Sequence, residues 1–412
     1  MEAPLLERVL PALRRLEPQA RACWFYDLDL LEERARRFRA AFAALAPLTA
    51  FALKANGLPA LLHRLRSCGL GAEAGSLGEL ELAAAAGFPP GARVLNGNGR
   101  TPEEAAWAVR SGVHSVNADH VAELDLLERE AAAAGRPLRV ALRVNPGIST
   151  PGHRYVATGT SEAKFGVSPE EALAAWQARA RWPHLVLDGV HVHVGSQLLD
   201  PAPLERALDA ALELARESAR RGAPLRLLNL GGGLGVDSEA RADFPLEAWA
   251  ARVSERGAGL GLEWVFEPGR WLVAPAGVLL AEVLWVKRRD GRRFVVLAAG
   301  MNDLIRPALY GAHHRIEPLR LRSGPVEAAD VVGPVCESAD VFATELPLPP
   351  LEPGDVMAVR DAGAYGAAMA SNYNGRGRLA EVIGSSGRLV RARAGETPAD
   401  LTARASWVSL EG

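Results

Sequence analysis

Cysteine is scarce in this chain of 412 residues. The three present, Cys23, Cys68 and Cys336, are widely spaced and odd in number. That is not the even framework of a disulfide-stapled fold, and it points to a reducing compartment, so a cytoplasmic location is expected. Charge of one sign is also lacking: 47 basic and 49 acidic residues leave a net charge of −2. Such a balance makes no electrostatic case for nucleic acid or a membrane surface as partner. No apolar run reaches membrane-spanning length. The longest, Trp271 to Val286, contains Pro275 and carries Glu282, and reads as a strand, a bend and another strand. The opening residues have neither the basic region nor the apolar core of a signal peptide. Low-complexity linkers and solenoid-length repeats are missing as well. What remains, 49% hydrophobic and 23% charged residues, is the composition of a globular protein, long enough for two domains.

From residue 49 to 270 short apolar runs alternate with amphipathic stretches. The runs are Ala50–Lys54, Gly71–Gly75, Arg93–Asn96, Ser115–Asn117, Arg139–Asn145, Val186–Val194, Leu225–Leu230 and Leu262–Glu267. Between them, segments such as Ser76–Ala86, His120–Ala134, Pro169–Ala180 and Pro203–Arg221 repeat leucine and alanine at helical spacing. Eight alternations predict a parallel (β/α)8 barrel of the α/β class, with an open doubly wound sheet as the competing arrangement. The barrel is favoured because reactive residue types collect after many runs, where barrel enzymes build their sites. Beyond Arg270 the pattern changes to strands at Val278–Lys287, Arg293–Ala298, Asp330–Val335, Asp355–Arg360 and Leu379–Ile383. Turn signals such as Arg289-Asp-Gly291 join them, which predicts a C-terminal all-β domain. A helix over Pro4–Leu16 and a strand over Ala22–Tyr26 open the chain. The expected division is a barrel over 30–275 and a β-rich domain made of 1–29 and 276–412.

Lys54 closes the first run. A lysine at the end of a buried apolar strand is costly to keep charged, so its amine is pushed towards the neutral, nucleophilic form and is a candidate Schiff-base former. Leu230-Gly-Gly-Gly-Leu-Gly235 follows the seventh run and Glu267-Pro-Gly-Arg270 the eighth. Barrels often hold a phosphate at these two loops, although a glycine-rich loop alone is also an ordinary tight turn. Glu267 can face a pyridine nitrogen and keep it protonated. His191 and His193 share a strand face, but no third clustered ligand or Cys-x-x-Cys accompanies them, so no metal is expected. His193 suits stacking on a cofactor ring, with Ser196 available to a phosphate; a histidine of the core is the alternative. Met301 to Tyr310 offers the Arg306 guanidinium and the Tyr310 phenol to a carboxylate. Gly333-Pro-Val-Cys-Glu-Ser338 sets a thiol beside an acid, and Asp361 to Gly366 carries Tyr365 in a flexible turn.

Together these motifs resemble the diaminopimelate decarboxylases, fold-type III enzymes that use pyridoxal 5'-phosphate (PLP) and are related to ornithine and arginine decarboxylases and alanine racemase. The resemblance runs from Phe25-Tyr-Asp-Leu-Asp29 to Arg376 and includes Asn96-Gly-Asn-Gly99, Arg143-Val-Asn-Pro146 and Lys164-Phe-Gly-Val167. The segments around Arg306 and Tyr310, Cys336-Glu337-Ser338 and Tyr365 are its most specific part. It implies that Lys54 holds PLP covalently, His193 stacks on the ring and Glu267 pairs with the ring nitrogen. Ser196, Gly232, Gly233, Gly235, Gly269 and Tyr365 would bind the phosphate. Arg270, Arg306 and Tyr310 would grip the distal carboxylate of the substrate, with Glu337 at its distal ammonium and Tyr365 nearby. Cys336 would return the proton, reaching in from the partner subunit of a homodimer, whose interface and substrate site the β-rich domain completes.

The implied reaction is decarboxylation of meso-2,6-diaminopimelate to L-lysine and CO2. The alternatives are a decarboxylase for ornithine, arginine or a carrier-tethered amino acid, a racemase, or a non-catalytic regulatory relative. Two positions depart from the family pattern: Glu73, where an aspartate is usual, and Ala298, where an aspartate is common. Neither is expected to touch the reacting groups.

Overall fold

The computed structural model describes residues 1, 3–149, 164–239 and 242–405. The chain divides into two compact units. One is Glu32–Asp237 with Arg241–Leu272; the other is Met1–Leu31, Ser238–Ala240 and Val273–Gly412.

In the first unit eight strands close into a barrel: β1 (Leu48–Ala52), β2 (Gly71–Ala74), β3 (Arg93–Leu95), β4 (Ser115–Ala118), β5 (Leu138–Arg143), β6 (Leu185–His191), β7 (Leu227–Asn229) and β8 (Glu263–Phe266). Every neighbouring pair is parallel, including β8 with β1. Each coincides, within a few residues, with one of the eight apolar runs. The strands are short and almost wholly buried because helices cover their outer faces and side chains fill the inside. Ala50, Val94, Ala141 and Leu227, all fully buried, come from β1, β3, β5 and β7 and pack with Val265 as one interior layer. Odd-numbered strands supply four of its five members, so most even strands must leave room for it. Gly189 on β6 does so: a Cβ there would lie 2.7 Å from Ala141 Cβ. The helices begin where sequence chemistry stops the chain from continuing as loop. Thr101 and Ser168 each form a capping box with a glutamate three residues on, and each is followed by proline at the first helical turn.

The second unit is a nine-stranded sheet. Ala22–Asp27 is one of its inner strands, antiparallel to Gly277–Arg289 and parallel to Glu381–Ser385. The expected helix over Pro4–Leu16 is instead two short helices, Ala3–Leu6 and Val9–Arg14. Pro11 explains the break, since its ring excludes a helical bond to the carbonyl of Glu7. The run from Trp271 also differs from expectation. Its start is a helical turn, Arg270–Val273, and only Gly277–Arg289 is strand. Glu282 is tolerated within that strand because Arg14 (2.5 Å) and Arg21 (3.2 Å) pair with it. Asp290 (φ 50°) and Gly291 (φ 77°) turn the chain into Arg292–Leu297, with Arg289 opposite Arg292. Both central residues of such a two-residue hairpin need positive φ, which aspartate and glycine adopt most readily. Among the described residues no helix is long and apolar enough to cross a membrane.

Candidate active site

Polar side chains gather at the C-terminal ends of the barrel strands. Lys54 lies just past β1, in the single turn Leu53–Ala55, with its side chain about half exposed, and its Nζ is 2.7 Å from Glu73 Oε2. The amine is therefore not sealed in an apolar strand end, as the sequence suggests, but paired to a buried carboxylate at the barrel mouth. Glu73, on β2, is 1% exposed. Contrary to the sequence expectation, it touches the central lysine directly. Burial pushes its carboxyl above the usual range and the Lys54 ammonium pulls it back, while Glu267 adds a further upward push.

Asn96 links the two carboxylates. Its Nδ2 donates to Glu73 Oε1 at 2.8 Å and to Glu267 Oε2 at 2.9 Å. Glu267, which follows β8, also accepts from Asn117 Nδ2 (3.1 Å) and Asn229 Nδ2 (2.7 Å). Three strand ends, those of β3, β4 and β7, thus converge on the buried carboxylate that follows β8, and its donors are neutral amides rather than the arginine three residues along the chain. Beside it, His191 is buried with Nε2 3.6 Å from Glu267 Oε2.

His193 lies two residues past the end of β6, and its Nδ1 accepts from the Gly232 N–H at 3.3 Å. Burial holds the imidazole well below its ordinary value, with the positive charges of Arg143 and Lys54 adding to the effect. The ring is therefore neutral near pH 7, consistent with its acceptor role. Its neighbour in space is the glycine loop after β7. Gly231 (φ 60°) and Gly233 (φ 105°) require positive φ. At Gly232 a Cβ would sit 2.3 Å from the Glu267 carbonyl oxygen, and at Gly233 2.6 Å from that of Gly195. Backbone packing alone demands glycine here. Gly235 donates to the Leu198 carbonyl at 2.8 Å, tying this loop to the one carrying Ser196. Ser196 Oγ accepts from Arg270 Nη2 at 3.2 Å. The turn holding Gly269 is fixed where Ala52 N–H donates to Pro268 carbonyl at 3.1 Å. Lys54, His193, Ser196, Gly232, Gly233, Gly235, Glu267, Gly269 and Arg270 accordingly all lie on loops after β1, β6, β7 and β8.

The remaining predicted residues belong to the second unit. Arg306 and Tyr310 open and close one short helix, Arg306–Tyr310, a spacing that puts them on one face. Cys336 and Glu337 are exposed on a loop held from inside by Asp340. That buried carboxylate accepts from Val335 N–H at 2.7 Å and Met301 N–H at 2.6 Å, and burial pushes it up against the downward pull of these bonds. The Cys336 N–H donates to Asn374 Oδ1 at 3.0 Å. Tyr365 has φ 55°. A bulky residue in the left-handed region is uncommon, and such strain collects at functional turns.

Sequence reading did not single out Asn117 or Asn229, gave Asn96 only as part of a motif, and named Glu73 only as a departure from the family pattern without a role at the site. A polar amide ending an otherwise apolar run was the available signal. Chemically, the barrel-mouth set suits a pyridinium phosphate. It has a buried carboxylate for a ring N–H, a neutral imidazole for a ring face, a primary amine at the mouth and a loop whose backbone is stripped of side chains.

Residues 28–274 match the family of pyridoxal-dependent decarboxylases through its pyridoxal binding domain. The diaminopimelate decarboxylase of Zymomonas mobilis is 40% identical over 378 residues, 90% of each chain. That of Pseudomonas aeruginosa is 40% identical over 380 residues, 92% of this chain and 91% of the relative. In structure, the diaminopimelate decarboxylase of Helicobacter pylori complexed with L-lysine superposes with a TM-score of 0.90. It is 35% identical, covering 95% of this chain and 98% of its own.

Proposed function

Since the chain belongs to the pyridoxal-dependent decarboxylases, in the branch of the diaminopimelate decarboxylases, we propose that it converts meso-2,6-diaminopimelate to L-lysine and CO2, the last step of lysine biosynthesis. Similarity over nine-tenths of both chains carries this reading, because it spans both units and so includes Arg306, Cys336 and Tyr365 as well as the barrel. PLP, when bound, supplies the electron sink that accepts the pair left behind by CO2.

The protein's own groups do the rest. Lys54 provides the amine that holds the cofactor, and Glu73 keeps that amine aimed by their 2.7 Å contact. Glu267, anchored by Asn96, Asn117 and Asn229, keeps a proton on the ring nitrogen. His193, neutral, would stack on the ring. Ser196, Gly232, Gly233, Gly235, Gly269 and Tyr365 would hold the phosphate. Arg270, Arg306 and Tyr310 hold the distal carboxylate and Glu337 the distal ammonium. A substrate without that carboxylate leaves guanidinium groups without their anion, which costs about tenfold or more in discrimination. The Cys336 Sγ delivers a proton to the α-carbon. The second unit completes the substrate site in a homodimer with shared sites, in the cytoplasm, and neither nucleic acid nor membrane is a partner.

The test is to offer the PLP-loaded protein meso-diaminopimelate, ornithine, lysine and arginine and to measure released CO2. Release from diaminopimelate at least about a hundredfold above the others is expected, in proportion to a lost charged contact. Equal or preferred release from ornithine or arginine would reject the substrate, and no release from any would reject the reaction.

A further inference from the structure

One buried histidine of the second unit has no part in the roles above, yet it touches the arginine proposed to read the substrate. The helix Arg306–Tyr310 ends at Gly311, whose left-handed backbone (φ 60°) reverses the chain. Gly311 N–H returns to the Pro307 carbonyl at 3.0 Å and Ala312 N–H to the Arg306 carbonyl at 3.3 Å. The chain then enters the strand Ile316–Pro318, antiparallel to Val356–Val359, with Ile316 opposite Val359. This reversal brings His314 back against Arg306. Both side chains are buried, at 9% and 7% exposure.

Among the described residues the imidazole meets one group at each nitrogen. Nε2 lies 3.0 Å from Arg306 Nη1, and Nδ1 lies 2.9 Å from the Arg360 carbonyl oxygen. A carbonyl can only accept, so Nδ1 carries the proton. A guanidinium can only donate, so Nε2 offers its lone pair. These two contacts select a single neutral tautomer. The guanidinium of Arg360 is itself engaged by Glu317 at 2.7 Å, so Arg360 meets the imidazole through its carbonyl.

We propose that His314 is a positioning residue for the distal carboxylate, acting through Arg306. A guanidinium is a planar fork, and fixing one edge orients the donors of the whole plane. Ordering it before the substrate arrives removes side-chain entropy that binding would otherwise cost. The choice of imidazole matters. An aspartate or glutamate could orient Arg306 too, but it would bring a negative charge that competes with the substrate's own. Neutral Nε2 orients without that charge. The inference rests on Arg306 as a carboxylate-binding residue, and its test separates the two.

Calorimetric binding to the PLP-loaded enzyme provides that test, with L-lysine as a ligand that retains the distal carboxylate and 1,5-diaminopentane as one that lacks it. His314→Leu is expected to weaken L-lysine about tenfold or more, the scale of a hydrogen bond to a charged group. Binding of 1,5-diaminopentane should change by less than about threefold. His314→Gln, which supplies both an N–H and a carbonyl acceptor, should recover L-lysine affinity to within about threefold of the native enzyme. His314→Asn, with the same groups on a shorter arm, should not; this pair gives the answer if the leucine variant fails to fold. In steady state KM for diaminopimelate should rise more than kcat falls. Equal weakening of both ligands, or L-lysine affinity unchanged in His314→Leu, overturns the proposal. Arg306→Ala is the control. Selective loss of L-lysine there but not in the His314 variants leaves the role of Arg306 standing and removes that of His314. No selectivity in Arg306→Ala removes the reading of Arg306 itself.

Discussion

Glu73 is a carboxylate with almost no contact with water, at 1% exposure, and its place in the barrel depends on the Lys54 ammonium 2.7 Å away. Burial alone would favour its protonated form, and Lys54 is the chief force in the other direction. Removing the lysine while leaving the acid should therefore be costly. Breaking a buried pair costs several kcal/mol, but Lys54 is half exposed, so solvent screening reduces the expected loss to about 1–2 kcal/mol. The pH dependence has a definite sign. A carboxyl whose folded pKa is raised binds a proton in the folded state that the unfolded chain has already released, so stability falls as pH climbs above the ordinary carboxylate range. In protein stripped of cofactor, Lys54→Met should lose more stability near pH 8 than near pH 5, and adding Glu73→Gln should restore most of it. Chemical denaturation at the two pH values checks this. The same loss at both, with no rescue by the glutamine, would show that the pair is not coupled in the way its geometry indicates.

Among secondary-structure elements, the eight barrel strands are legible in sequence because each is an apolar run bracketed by helical spacing. The sheet of the second unit is legible only in its interior. The strands Val341–Leu348 and Arg388–Arg393, which the sequence does not announce, lie at the two ends of the sheet order. Edge strands protect themselves with charge and proline, as Glu345, Pro347 and the three arginines of Arg388–Arg393 do here, and this erases the pattern that would reveal them. The asparagine cluster is hidden for another reason. Asn96, Asn117 and Asn229 each look like a turn residue ending a strand, and only closure of the barrel brings them to Glu267. His314 likewise gains its partner from a chain reversal and a strand register, neither of which shows in local spacing. The glycine loop is legible, but its reason is not: Gly232 is required by the backbone of the neighbouring β8 loop as much as by any anion. Gly232→Ala would drive a Cβ to 2.3 Å from the Glu267 carbonyl oxygen, so the loop or Glu267 must shift. PLP retention is expected to fall at least about tenfold, together with a stability loss of about 1–3 kcal/mol. Gly291→Ala offers the contrast, because Gly291 (φ 77°) has nothing near its missing Cβ. It should cost only about 1 kcal/mol of backbone strain and leave cofactor retention intact. Equal cofactor loss in both variants would mean that the loop's tight packing does not hold the site.

At the scale of the whole molecule the proposed chemistry is divided between the units. Lys54, His193 and Glu267 belong to the barrel, whereas Arg306, Cys336 and Tyr365 belong to the sheet-based unit. Cys336 is exposed on its loop, so the chain itself leaves its thiol available to a second copy. If the proton donor of one site comes from the partner subunit, two different inactive variants should repair each other. Lys54→Ala removes the anchoring amine and Cys336→Ala the proton donor, and each homodimer should lose most of its activity. Co-expressed in equal amounts and paired at random, about half of the dimers would contain one chain of each kind. In such a dimer one site combines the intact Lys54 of one chain with the intact Cys336 of the other, while the second site carries both defects. Activity should then return to about a quarter of the native level, with sedimentation showing a dimer throughout. A site built within one chain predicts the opposite, because every site in the mixed dimer would still carry one lesion. No recovery despite verified mixed dimers would place Cys336 in the site of its own chain and remove the structural reason for a shared interface.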